Sequence, residues 1–387
     1  YGMSFVDSFF ESMSGITTTG ATVISGLNSM PESVLFYRQL LQWMGGMGLI
    51  VLAIAVMPLL GIGGGQLYKT EIPGALSDQK LTPRIKETAQ ALWLIYLGLT
   101  VVCALLYFAF GMSAFDAISH SLSTVSIGGF STHDESIGYF NSISIEVICM
   151  VFMLLSALSY ALHYFAVYKK KPLKYFHDSE LRFFVSILSI VISLSLLLSI
   201  MVGFDGGSFR EILFQSVSIV TTTGFVSTDY SSWPTSITFL LLIGAFIGAC
   251  SGSVGGGIKS WRVLIMINHA KINIMRLVHP NAVVSLKIGS KAVDDKVAQS
   301  VWGFFSIYVI CFMLLLLSLL ATGMDFESSF SAIGACLNNL GPGLGQVAET
   351  YGSVSNFGKS ILALAMILGR LEIFTLLVLF TTVFWQK

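Results

Sequence analysis

The chain has 387 residues, of which 54% are hydrophobic and 11% charged, with 21 Lys plus Arg balanced by 21 Asp plus Glu. A mean hydropathy of +0.80 excludes a soluble globular class, and zero net charge excludes a strongly basic nucleic-acid binder. Lipid is the solvent for most of this chain.

In chain order, residues 5–21 read FVDSFFESMSGITTTGA, a helical amphipathic stretch that ends in three threonines and a glycine. An apolar run over 43–60 follows, then a linker with Lys69, Lys80, Arg84 and Lys86. The apolar run 91–111 leads into FDAISHSLSTVSIGGFS (115–131), and the run 143–167 leads into a block with Lys169, Lys170, Lys171, Lys174 and Arg182. The run 183–203 leads into FREILFQSVSIVTTTGF (209–225) and then 237–250. The glycine-rich GACSGSVGGGIKSW (248–261) opens a segment carrying Lys259, Arg262, Lys271, Arg276, Lys287, Lys291 and Lys296. After it come the run 301–321, FESSFSAIGACLNNLGPG (326–343) and the run 360–385.

Most of these runs are long enough to span a bilayer. The segments 131–146, 224–234 and 342–358 lack Lys and Arg but carry Asp134, Glu135, Glu146, Asp229 and Glu349. Because Lys and Arg are retained on the cytoplasmic side, the basic blocks face inward and the acidic segments outward. Cys103, Cys149, Cys250, Cys311 and Cys336 stand singly, without a CxxC pair, and read as buried thiols. His120 and His163 read as packing or interfacial residues.

Four blocks align. In three of them a Phe lies fifteen residues before a matched glycine (Phe5 to Gly20, Phe209 to Gly224, Phe326 to Gly341), while Phe115 to Gly129 is one residue shorter. Each has an acidic residue after the Phe, a short helix, a polar strip ending in glycine, an outward loop and a long apolar helix. The short helix cannot cross a core of ~30 Å, so it enters and leaves on one side. Non-helical backbone at that depth is tolerated only where protein or water surrounds it. Four copies therefore predict a shared water-filled axis. Helix C-termini aimed at it favour a cation, and extended strips with glycine can turn carbonyl oxygens toward an ion. A single such strip reads equally as a helix-packing surface or a loop; four in register do not.

The fourfold repeat of helix, re-entrant loop and helix, with TTTG in its first and third copies, QWMGGMGL (42–49), SGSVGGGIK (251–259) and NNLGPGLG (338–345), resembles the potassium transporters of the Trk/Ktr/HKT superfamily, and within it the TrkH type. The resemblance implies an all-α polytopic membrane protein whose four repeats surround one pore in pseudo-fourfold arrangement. They fall at 1–60, 91–168, 181–279 and 299–387, joined by a cytoplasmic linker at 61–90, a basic loop at 169–180 and a second linker at 280–298. The outer helix of the first repeat would lie upstream of Tyr1. Potassium would be held by Thr17, Thr18, Thr19 and Gly20; Ser126, Ile127, Gly128 and Gly129; Thr221, Thr222, Thr223 and Gly224; and Asn338, Asn339, Leu340 and Gly341. Strips two and four depart from the threonine pattern, which puts strict selectivity in doubt.

The glycine run at 248–261 interrupts a membrane helix, at about 1 kcal/mol per Gly relative to Ala. As a phosphate-binding loop it fails, because Ile258 separates Gly257 from Lys259 and no strand precedes it. It reads instead as a gating loop, with Gly252, Gly255, Gly256, Gly257 and Lys259. Arg370, deep in the last apolar run, is a functional candidate by its charge alone; the resemblance faces it into the cavity, where it limits conduction. Glu372, two residues on, is a poor helical partner for it.

The resemblance also implies potassium uptake across the bacterial inner membrane, a homodimer, and a cytoplasmic TrkA-like ring that binds nucleotide in place of this chain, which has no Rossmann fingerprint. Two rival readings are a proton- or sodium-coupled potassium symporter and a non-transporting scaffold. The first expects inverted repeats and midplane carboxylates, whereas these repeats share one orientation. No hydrolase motif supports an enzyme.

Overall fold

The computed structural model describes residues 2–51, 85–204, 207–282, 284–289 and 291–374. The ends of the apolar runs expected at 43–60 and 360–385, together with Lys69, Lys80 and Arg84, lie outside the described residues. The helices are α1 (Phe5–Ile16), α2 (Glu32–Val51), α3 (Ile85–Ala109), α4 (Ala114–Val125), α5 (Ile143–Ala157), α6 (Tyr160–Val167), α7 (Lys174–His177), α8 (Ser179–Val202), α9 (Phe209–Val220), α10 (Thr235–Ile247), α11 (Ser260–Val278), α12 (Asp295–Leu320), α13 (Phe326–Leu337) and α14 (Asn356–Arg370). One departure from an all-helical chain is a two-residue antiparallel hairpin, β1 (Lys287–Ile288) with β2 (Lys291–Ala292).

Among the described residues three helices are long and apolar enough to cross a membrane: Ala89–Ala109 within α3, α8 and α12. Each precedes a short helix, and each leaves large apolar side chains uncovered, such as Leu105, Ile200 and Leu317, as a lipid-facing surface requires. These helices begin before their apolar runs do. Asp178 and Asp294 cap α8 and α12 by accepting backbone N–H groups, so the polar first turns are helical although a hydropathy reading leaves them in the linkers.

The short helices α1, α4, α9 and α13 have 12 residues each and are capped by the side chains of Ser4, Ser113, Ser208 and Asp325. Around Ser208 the cap is reciprocal, with Glu211 reaching back to the cap's backbone N–H. Helix α4 starts at Ala114, so helix start to matched glycine is fifteen residues in every copy. The shorter Phe115 spacing reflects only that Phe115 stands second in its helix. The N-terminal turns are exposed, as at Phe5, Phe209 and Phe326, while the C-terminal halves are buried. All four helices therefore point their negative ends into the body of the protein.

The apolar run 143–167 is not one continuous helix. It breaks at Leu158 and Ser159, and α6 turns 98° away from α5. The core divides into two large clusters. One joins the second and third repeats through residues such as Tyr107, Phe152, Phe184 and Phe214, and the other joins the fourth to the first through Phe10, Phe312, Tyr351 and Met366.

Two ion pairs fasten a short helix to the preceding repeat. Lys359, fourth residue of α14, donates to Asp7 at 2.6 Å. Glu146, fourth residue of α5, accepts two bonds from Arg210 of α9, at 2.6 and 2.7 Å. The positions on α14 and α5 correspond, and the polarity is reversed. Replacing Arg210 by Ala strands the buried Glu146 carboxylate and is expected to cost about 1–3 kcal/mol. In thermal melts of detergent-solubilised protein, the charge-swapped pair Arg210→Glu with Glu146→Arg should recover part of the stability that Arg210→Glu alone loses.

Candidate ion pathway

Each short helix ends in the same way. The second strip residue, Thr18, Ile127, Thr222 or Asn339, adopts a left-handed conformation with φ of 54°, 54°, 64° or 52°. The N–H of the third, Thr19, Gly128, Thr223 or Leu340, bonds back to a carbonyl in the helix at 2.8–2.9 Å, a Schellman-type closure. Four non-glycine residues in this region hold real strain, of about 1–2 kcal/mol each. The chain turns sharply and leaves the strip extended across the helix end.

The four strips meet as a closed ring. A Cβ built on Gly20 would lie 2.2 Å from the Gly128 oxygen, one on Gly129 2.2 Å from the Thr223 oxygen, one on Gly224 2.0 Å from the Leu340 oxygen, and one on Gly341 2.6 Å from the Thr19 oxygen. Each third-position carbonyl thus rests on the glycine of the neighbouring strip, in the order of the chain and back to its start. These glycines have φ between 80° and 99°, so both the backbone and the neighbour exclude a side chain.

Behind the ring the strips are held by side chains. In strips one and three, Thr17 and Thr221 donate to the helix carbonyls of Met13 and Val217 at 2.6 and 2.7 Å, and each lies 2.8 Å from the third threonine of its strip. In strip four, Asn338 donates to Gly334 and accepts from the Tyr308 hydroxyl, while Asn339 donates to Thr19 Oγ1 at 2.9 Å, joining the last strip to the first.

Above the strips a cavity of about 470 Å³ is floored by Gly20, Gly129, Gly224 and Gly341 and rimmed by Asp134, Glu135, Asp229 and Glu349. Its basic side chains are Arg38 and His133. Arg38 is paired with Glu11 at 2.8 Å. Burial pushes the His133 imidazole below its ordinary pKa, against the pull of Asp116, and keeps it uncharged at neutral pH. The field of this vestibule is therefore that of its carboxylates.

Below the strips, among the described residues, the glycine loop packs against them. The Gly256 N–H donates to Thr222 Oγ1 at 2.7 Å and the Gly257 N–H to the Asn338 oxygen at 3.2 Å. Arg370 donates to the carbonyls of Val254 at 2.8 Å and Gly45 at 3.2 Å, and Lys259 to that of Gly255. Among the described residues a pocket of about 20 Å³ lies here, lined by Gly255, Gly256, Gly257, Lys259 and Arg370, with room for about one water.

The family model described as TrkH, cation transport protein, matches residues 2–387. The chain belongs to this family. It is 54% identical to the Trk system potassium uptake protein TrkH of Halomonas elongata and 49% identical to that of Escherichia coli K12, in each case over 100% of this chain and 80% of the relative. A crystal structure of the potassium transporter TrkH from Vibrio parahaemolyticus, 49% identical, superposes with a TM-score of 0.89 over 99% of this chain and 80% of that one. The family is one of transport proteins, not enzymes, and the chain is a polytopic, multi-pass membrane protein.

All sixteen strip residues named from the sequence gather at the ring and the turns beneath it. Gly255, Gly256, Gly257, Lys259 and Arg370 come together under it. Gly252 lies to one side, where its carbonyl accepts from the Tyr160 N–H at 3.0 Å. Glu372 pairs with Arg262, not Arg370.

Sequence reasoning missed the braces. Glu11, His120 and Gln215 each occupy the seventh position of their short helix, and each binds the segment leaving its own strip: Val23, Ser131 and Thr228. A polar residue recurring at that position of the amphipathic short helices was the available signal. Ala at Gly224 meets the unfavourable φ, at about 1–2 kcal/mol, and the Leu340 oxygen as well. Gly224→Ala is expected to reduce cation uptake by at least about tenfold, measured as radiotracer entry into cells with equal membrane expression.

Proposed function

We propose that this chain mediates potassium uptake across the plasma membrane, the inner membrane of a bacterium, through a channel-like pore whose selectivity filter is the ring of strips. The closed ring of Thr19, Gly128, Thr223 and Leu340 carbonyls carries this reading. A cation entering the vestibule is concentrated by Asp134, Glu135, Asp229 and Glu349. It then exchanges hydration water for backbone oxygens set by the turns at Thr18, Ile127, Thr222 and Asn339. The buried C-termini of four short helices stabilise it on the inner side.

In this reading the glycine loop is the gate, and its bonds to Thr222 and Asn338 support a closed arrangement. The Arg370 guanidinium pins the loop through Val254 and adds a positive charge beneath the filter. The resemblance further supports a homodimer on a cytoplasmic nucleotide-binding ring. The exposed Ile274, Leu277 and Val278 at the end of the basic α11 suit a protein partner on that side.

The decisive measurement is the current–voltage relation of purified protein in a bilayer, with a potassium gradient and then with sodium on one side. Reversal at the potassium equilibrium potential, unmoved by pH, is expected; reversal set by a proton or sodium gradient would replace this reading with coupled symport. For the gate, Arg370→Gln removes charge-assisted bonds worth about 1.5–3 kcal/mol each and should raise flux about tenfold. Deletion of Gly255–Gly257 should raise it too, and unchanged flux in both folded variants would remove the gate from the scheme.

A further inference from the structure

The second strip differs from the other three in having glycine at its third position, where they have Thr19, Thr223 and Leu340. Backbone conformation does not demand it, because Gly128 lies outside the left-handed region that Gly129 occupies. What excludes a side chain there is Gln42 of α2. A Cβ on Gly128 would lie 2.4 Å from both Cδ and Oε1 of Gln42.

Gln42 is fully buried. Its Nε2 donates to the Gly128 oxygen at 2.6 Å and its Oε1 accepts from the Phe130 N–H at 3.2 Å, so one amide grips the strip on both sides of Gly129. Among the described residues, Gly128 is the one member of the carbonyl ring that accepts a protein hydrogen bond.

We infer that Gln42 is a specificity-determining positioning residue. Supplied by the inner helix of the first repeat, it takes the place of the side chain that the second strip lacks and fixes the Gly128 carbonyl in the ring. The need follows from the sequence: Gly128 and Gly129 form the most conformationally free dipeptide a chain can hold, and a ring that discriminates between cations of different radius has to keep all four walls in place. The bond also withdraws part of one carbonyl from the ion, leaving three free oxygens and one shared. Removing Gln42 frees that oxygen but releases the strip. Because two adjacent glycines have no side chain of their own to anchor them at this level, the release dominates.

This inference rests on the filter reading, and the experiment separates the two. Potassium and sodium permeabilities are measured from reversal potentials in bilayers for the wild type, Gln42→Ala, Gly128→Thr and the double variant. A wild type without selective current would refute the filter reading itself. Given a selective wild type, Gln42→Ala is expected to lower the potassium-to-sodium ratio about fivefold, the worth of one ordinary hydrogen bond, with potassium current retained. Gly128→Thr alone collides with Gln42 and should lose current. The double variant, with room for a threonine as in strip three, should regain both current and selectivity.

A purely structural role would change melting temperature and yield but leave the ratio untouched. An unchanged or increased ratio in Gln42→Ala overturns the inference. If that single variant does not fold, a double variant no better than Gly128→Thr alone overturns it.

Discussion

The contact between a strip glycine and its neighbour's carbonyl is the constraint on which the rest of this fold depends. It is made four times in a closed cycle, and closure requires the four strips to share one height and tilt. The equal length of the four short helices, their common capping and the left-handed turn at each C-terminus all serve that requirement. Backbone in a membrane interior is ordinarily satisfied within the protein. Here the oxygens of Thr19, Thr223 and Leu340 accept no hydrogen bond among the described residues. A strained turn that leaves three carbonyls without a protein partner is costly, and its repetition is understandable if an ion is their partner.

The four walls reach one geometry by different chemistry. Strips one and three use threonine pairs, the fourth uses two asparagines and Tyr308, and the second borrows Gln42. What is held constant is backbone, while side chains behind it vary with whatever helix stands there. This separation explains how a single chain can diverge among its repeats without losing the ring. The outer ion pairs show the same principle, since Lys359 with Asp7 and Glu146 with Arg210 do one job with opposite polarity.

The fold class and the place of the strips were legible because local composition carries them. Thr and Gly in an apolar chain are conspicuous, and a fixed spacing from Phe marks the short helices. The second register was harder to read because Ala114, not Phe115, opens its helix. Gln42 and Arg38 were illegible as braces, and Glu11, His120 and Gln215 showed only as a recurring polar position, since their partners lie 11 to 93 residues away along the chain. The break at Leu158 and Ser159 had no signal at all: neither glycine nor proline stands there.

That break has its cause in the third repeat. Where α5 ends, the Ala157 carbonyl accepts from the Cys250 N–H and the Tyr160 N–H donates to the Gly252 carbonyl, both at 3.0 Å. The glycine loop, itself a broken helix, supplies the partners that α5 and α6 lack, and receives the same in return. Each interruption would expose unpaired backbone if it occurred alone; together they satisfy one another. The same loop binds Thr222 and Asn338 above it, through Gly256 and Gly257, so one glycine-rich segment joins the undersides of two strips to the bend between α5 and α6. In the proposed gating scheme, the bonds at Cys250 and Gly252 would couple movement of the loop to that bend.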